Sequence, residues 1–154
     1  MKVIFFSILT LILLSGCNTD NIYLHKNEIS NGIWKYTDSL EYAFEIKDTA
    51  QLYSMILNVT HDNDLPYENF YVKINSIYPD KTRKTDILSL EFADESGTWM
   101  GKKSGDNFLA PIALQPIAKF KKIGIYKMIF YQNSRIDSLK GIQSLELEID
   151  KKRN

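Results

Sequence analysis

Tyr53-Ser54-Met55-Ile56-Leu57-Asn58-Val59-Thr60 sets Tyr53, Met55, Leu57 and Val59 on one side of an extended chain and Ser54, Asn58 and Thr60 on the other. A period of two is the mark of a strand with one face in a core. The pattern recurs on both sides of this stretch. Leu40, Tyr42, Phe44 and Ile46 oppose Glu41 and Glu45; Phe70, Val72 and Ile74 oppose Tyr71, Lys73 and Asn75; Leu88, Leu90 and Phe92 oppose Ser89 and Glu91. Leu145, Leu147 and Ile149 close the chain against Glu146, Glu148 and Asp150, and Ile125–Tyr131 is apolar on both faces, as a central strand would be. Turn-forming residues separate the runs at Asp62–Pro66, Tyr78–Asp80, Asp94–Gly97 and Lys103–Asn107. No long helical stripe competes, although Arg135–Gly141 is long enough for one helical turn. The expectation is an all-β fold: a single antiparallel β-sandwich over residues 34–154, of jelly-roll or immunoglobulin-like kind.

The first sixteen residues belong to another category. Lys2 is a short positive region, Val3–Leu14 is an apolar run too short to span a bilayer, and Leu14-Ser15-Gly16-Cys17 follows. This resembles the lipobox of bacterial lipoproteins, which implies cleavage before Cys17 and acylation there by diacylglycerol and a fatty acid such as palmitate. Residues 1–16 are thus expected to be a cleaved lipoprotein signal peptide, and residues 17–33 a lipidated cysteine with a polar tether and lead-in strand. Several acyl chains hold a protein stably at a membrane where one would be marginal. The expected location is the cell envelope, lipid-anchored and facing the periplasm or the cell surface.

Nineteen basic and nineteen acidic residues balance in the whole chain, and loss of Lys2 leaves the mature form slightly negative. That composition argues against nucleic acid, whose phosphates require a basic surface, and against a broad polybasic membrane contact. The single cysteine excludes an intrachain disulfide and any cysteine-rich zinc site.

Catalytic chemistry finds little to build on. His25 lies in the tether, and His61 reads as a surface histidine in an acidic turn; there is no Gly-x-Ser-x-Gly elbow. Dispersed carboxylates at glycosidase spacing have no sequence signature. In the run that starts at His61, the side chains of Asp62, Asn63, Asp64 and then Glu68 offer oxygen ligands suited to calcium but lack EF-hand spacing, and a solvated turn explains them better. The glycine-rich stretch Gly97–Asp106 lacks Walker spacing. Its Trp99 reads equally as a partner-contacting ring or as one tucked under its own loop. No catalytic residue, metal site or cofactor is expected. An alternative function is glycan binding on exposed rings such as Trp34, Tyr67, Tyr71 and Trp99.

Three loop segments resemble the GldH family of gliding-motility lipoproteins of Bacteroidetes-type bacteria. Asn63-Asp64-Leu65-Pro66-Tyr67-Glu68-Asn69-Phe70 is similar to that family's Tyr-Pro-Tyr-Ser-Asn-Leu segment. Gly97-Thr98-Trp99-Met100-Gly101 with Gly105-Asp106 is similar to its Gly-x-Trp-x-Gly and Gly-Asp loop. Gly124-Ile125-Tyr126 and Arg135-x-Asp137-x-Leu139-x-Gly141-Ile142 resemble its closing strand and turn. Departures are His61 for an arginine, Leu65 for the first tyrosine, Glu68 for serine, Ser134 for methionine and Ser144 for glycine. The resemblance implies an envelope lipoprotein needed for gliding, associated with machinery that also serves type IX secretion, and no known catalysis. Its partners would be a membrane, through the lipid, and other envelope motility or secretion proteins. Among the shared residues, Gly97, Gly101 and Gly105 suit positive φ in tight turns. Arg135 and Asp137 could form a charge-assisted pair bracing the last turn, or contact a partner together with Trp99.

Overall fold

The computed structural model describes residues 20–153. Residues 1–16 and Cys17 lie outside the described part. Eleven strands and one 3-10 turn make up the described chain. They are β1 (Asn21–Glu28), β2 (Ile33–Lys35), β3 (Ser39–Ile46), β4 (Tyr53–Asp62), β5 (Asn69–Ile77), β6 (Arg83–Glu91), β7 (Lys102–Ser104), β8 (Asn107–Ala118), β9 (Gly124–Gln132), β10 (Ser138–Lys140) and β11 (Ile142–Lys151). The 3-10 turn, Ser30–Gly32, precedes β2.

Two antiparallel sheets form the sandwich, ordered β1-β11-β4-β8-β7 and β3-β9-β5-β6, with β2 and β10 paired as a small third sheet. The alternation read from the sequence sets the faces. β3 buries Leu40, Tyr42, Phe44 and Ile46, and β4 buries Tyr53, Met55, Leu57 and Val59. Against them stand Phe70, Val72 and Ile74 of β5 and Leu145, Leu147 and Ile149 of β11. Each such side chain contributes about 1.5–3 kcal/mol by leaving water. Tyr42 joins the layers directly: its hydroxyl donates to the Leu145 carbonyl at 2.9 Å, and burial pushes its pKa up. Among the described residues, the core cluster with its packed rim runs from Ile22 to Ile149.

Three expectations are revised. Residues 21–28, read within a tether and lead-in strand, form the eight-residue strand β1, which pairs with β11 from Asn21↔Asp150 to Glu28↔Ser144. Its alternation is faint because the strand lies at an edge, with only Ile22, Tyr23 and Asn27 among its interior residues half-buried. Residues 135–141 hold no helical turn: they bend and enter β10, where Leu139 pairs with Trp34 of β2 and both are fully buried. β9 is central in its sheet, between β3 and β5, yet only one of its faces is covered. Ile125 is 66% exposed because no layer of the described chain lies over that side.

The sequence reading missed β8. Pro111 and Pro116 interrupt its pattern, and the register against β4 shifts between Tyr53 and Ile56. β7 covers β8 only at residues 107–109, so beyond that point β8 is an edge, where a missing N–H costs no ladder bond.

The chain passes repeatedly from one sheet to the other, and its connections gather at two ends. One end carries the start of β1, the segments 47–52, 78–82 and 119–123, and the close of β11. The other carries segments 29–38, 63–68, 92–106 and 133–141. Strands of nine or ten residues separate the ends by about 30 Å.

Candidate functional site

The loops that carry the likeness to a known family, 63–70, 97–106 and 135–142, meet at the second end, farthest from the start of β1. They are held from below by an aromatic column. Trp34 meets Phe70 edge-on at 6.3 Å, Phe70 stacks on Phe92 at 5.1 Å, and Phe92 meets the His61 ring at 5.2 Å. Trp99 packs on His61 at 4.9 Å and Phe108 stacks on it at 5.4 Å.

His61 is therefore not a surface residue of a turn. It is fully buried, because the inward alternation of Tyr53, Met55, Leu57 and Val59 runs one step further than the apolar residues that reveal it. Nδ1 lies 3.1 Å from the Asp62 carbonyl, which places the ring proton on that nitrogen, and Nε2 has no partner among the described residues. Burial holds its pKa below the ordinary 6.5, so the ring is neutral and acts as a core aromatic.

The acidic turn beside it serves the backbone. Asp62 accepts from the Asp64 amide through Oδ1 at 2.8 Å and from Gln143 Nε2 through Oδ2. Among the described residues no three His, Cys, Asp or Glu side chains converge, the Asp62, Asp64 and Glu68 carboxylates included. Asp94 organises the next loop alone. Its Oδ1 accepts from Ser96 Oγ at 2.6 Å, the Ser96 amide at 2.9 Å and the Thr98 amide at 3.0 Å. The Ser96 hydroxyl, then the amides, keep its carboxyl below the usual carboxylate range. Gly97, Gly101 and Gly105 all have positive φ. At Gly101 the need is also steric, since a Cβ there would sit 2.3 Å from the Leu109 carbonyl oxygen.

Trp99 is half-buried, with its loop bridged to Ala93 and its ring on His61. Trp34 is fully buried and donates to the Asp38 carbonyl at 3.1 Å, which removes it from any surface role.

Arg135 and Asp137 are both exposed and form no ion pair with each other. The bracing expected of them comes from Gln132, which is 1% exposed. Its Nε2 donates to the Ile136 carbonyl and its Oε1 accepts from the Ser134 amide, each at 2.8 Å. Glutamine at the end of an apolar strand carries no distinctive signal beyond its inward parity with Phe130 and Tyr126. Arg135 is left free to line an open groove of about 560 Å³ with Tyr67, Asn69, Tyr71, Ile87 and Ile136. Tyr67, Tyr71 and Ile87 are 42%, 50% and 62% exposed, so this groove offers unspent apolar surface beside a guanidinium with no ion-pair partner among the described residues.

Fold and loops together define a single-domain antiparallel β-sandwich whose loop end leaves an aromatic groove open. The chain belongs to the GldH lipoprotein family, whose model matches residues 21–149. It is 25% identical to a protein of Christiangramia forsetii named gliding motility lipoprotein GldH homolog, over 98% of this chain and 96% of that one. It is 23% identical to gliding motility lipoprotein GldH of Flavobacterium johnsoniae, over 94% of each chain. The family is one of lipoproteins, proteins held at a membrane of the cell envelope.

Proposed function

We propose that this protein is a non-enzymatic lipoprotein, anchored through Cys17, that serves as an interaction or assembly component of a gliding-motility apparatus associated with type IX secretion. The near full-length likeness to two proteins named for gliding motility carries this reading. The loop end supports it physically: its Asp62 and Asp94 carboxylates and Gln132 amide hold turns, while the groove of Tyr67, Tyr71, Ile87 and Arg135 is left for a partner. Arg135 and neighbouring Asp137 are assigned to partner contact. Trp99 acts mainly by fixing the 94–101 loop on His61, with its exposed edge available to the same partner.

Deletion of the gene, scored for colony spreading and for protein secretion, tests the reading. Loss of spreading, restored by the native protein and not by Cys17→Ala, is the expected result. Full spreading and secretion in the deletion strain would sink the motility role, and equal rescue by both versions would sink the anchor. Glycan binding is the rival, resting on exposed Tyr67 and Tyr71. Retention on a glycan affinity gel that disappears with Tyr71→Ala would replace the proposal above.

A further inference from the structure

The chain is neutral in sum but not in distribution. Segments 81–84, 119–122 and 151–153 each contribute three lysines or arginines, and the topology brings all of them, with Lys47, to the end where β1 begins. Against them at that end stand Asp20, Glu45, Asp48, Asp80, Asp86 and Asp150. Four of these are ion-paired: Asp80 with Lys122, Asp20 with Arg153 at 2.7 Å, Glu45 with Lys47 at 3.4 Å and Asp86 with Lys84 at 2.9 Å. Lys81, Lys119, Lys121, Lys151 and Lys152 are exposed and form no ion pair with a described residue. The opposite end has an excess of acids, with Asp38, Asp62, Asp64, Glu68, Asp94, Glu95, Asp106 and Asp137 against Lys35, Lys102, Lys103, Arg135 and Lys140.

Exposed isoleucines accompany the lysines. Ile117, Ile123 and Ile125 are 61%, 65% and 66% exposed and lie in or beside the 119–123 loop. Lysine stems and bare isoleucines side by side suit the boundary between lipid headgroups and acyl chains, where the charge stays wet and the methyl groups do not.

The tether fixes which end this is. Asp20 is tied to β11, its carbonyl accepting from the Lys151 amide at 2.7 Å. Cys17 is three residues earlier, a reach of at most about 10 Å. A lipid on Cys17 therefore holds the basic end, and not the acidic one, within about a Debye length of the headgroups.

We propose that the lysine-rich end, centred on Lys119, Lys121 and Ile123, is a second membrane contact that rests on anionic phospholipid headgroups of the leaflet holding the Cys17 lipid. The sandwich then stands on the bilayer with the groove of Tyr71 and Arg135 directed away from it. The geometry rests on the proposed anchoring at Cys17, but the contact itself can be measured without a lipid.

The test uses residues 20–154, which contain all eleven described strands and the core between them, in sedimentation with vesicles of phosphatidylcholine alone or mixed equally with phosphatidylglycerol. Retention on the mixed vesicles alone, falling as salt rises, is expected. Each surface lysine contributes about fivefold, so Lys119→Gln with Lys121→Gln should weaken binding about 25-fold. Lys151→Gln with Lys152→Gln gives an independent second pair at the same end. Ile123→Ser should weaken binding without altering its salt dependence. Lys102→Gln with Lys103→Gln, at the far end, should change nothing. Equal retention on both vesicle types, no retention on either, or an equal loss from the Lys102/Lys103 pair overturns the proposal. Because this chain lacks Cys17, such failure is separate from failure of the anchor, which the Cys17→Ala complementation reads.

Discussion

At the scale of single residues, His61 shows how a polar side chain serves as core. Its ring fills the space between Phe92, Trp99 and Phe108, and its neutrality is imposed by burial. The unfolded chain takes up a proton near pH 6.5, whereas the folded chain resists it until lower pH. Stability from this group is complete above pH 6.5 and declines as pH falls toward the folded pKa, with a slope approaching about 1.4 kcal/mol per pH unit. Urea midpoints between pH 7 and pH 5 should therefore fall for the native protein and stay nearly level for His61→Phe. Parallel curves for the two proteins would show that burial of His61 has no part in acid sensitivity. Gly141 is fixed by a different constraint: φ is +87° and a Cβ would lie 2.3 Å from the Leu65 amide nitrogen. That close approach locks the 135–142 turn onto the 63–68 loop, and it explains why glycine stands in a motif whose neighbours are ordinary.

At the scale of elements, β8 and β1 are the strands least legible in sequence, and both lie at or near a sheet edge. Beyond residue 109, β8 has an open side bearing Pro111 and Pro116. Exposed Leu109 and Ile117 make it a template for another chain, and the prolines remove the donors such a template needs. Pro111→Val with Pro116→Val should raise self-association, read by light scattering as a larger mass at equal concentration. An unchanged monomer would show that the prolines do not guard this edge. The central strands were readable because each buries one continuous face, as β3 and β4 do. β9 misled in part, since its outer residues Ile125, Ile129 and Tyr131 are apolar without being covered, and sequence cannot tell an apolar face awaiting a layer from one left open.

At the scale of the whole molecule, the two ends differ in charge and in apolar surface, and we assign them different tasks. Arg135 and Tyr71 are both exposed, so Arg135→Glu with Tyr71→Ala should change stability by no more than about 1 kcal/mol. The same pair should abolish colony spreading in complementation, with protein levels unchanged by immunoblot. Full spreading would place the partner contact elsewhere. Sequence by itself determined the class of fold, most of the strands, the turns and the expected signal, because alternation and turn chemistry are local and survive in one dimension. Its family likeness was also readable, in the short loop motifs. Only the tertiary structure decided that His61 is core, that Gln132 braces the turn in place of Arg135 and Asp137, and that a neutral chain has a basic end where β1 begins. Those facts depend on which loops the sheet order brings together across more than a hundred residues, as at Tyr42 and Leu145, and no local pattern records that choice.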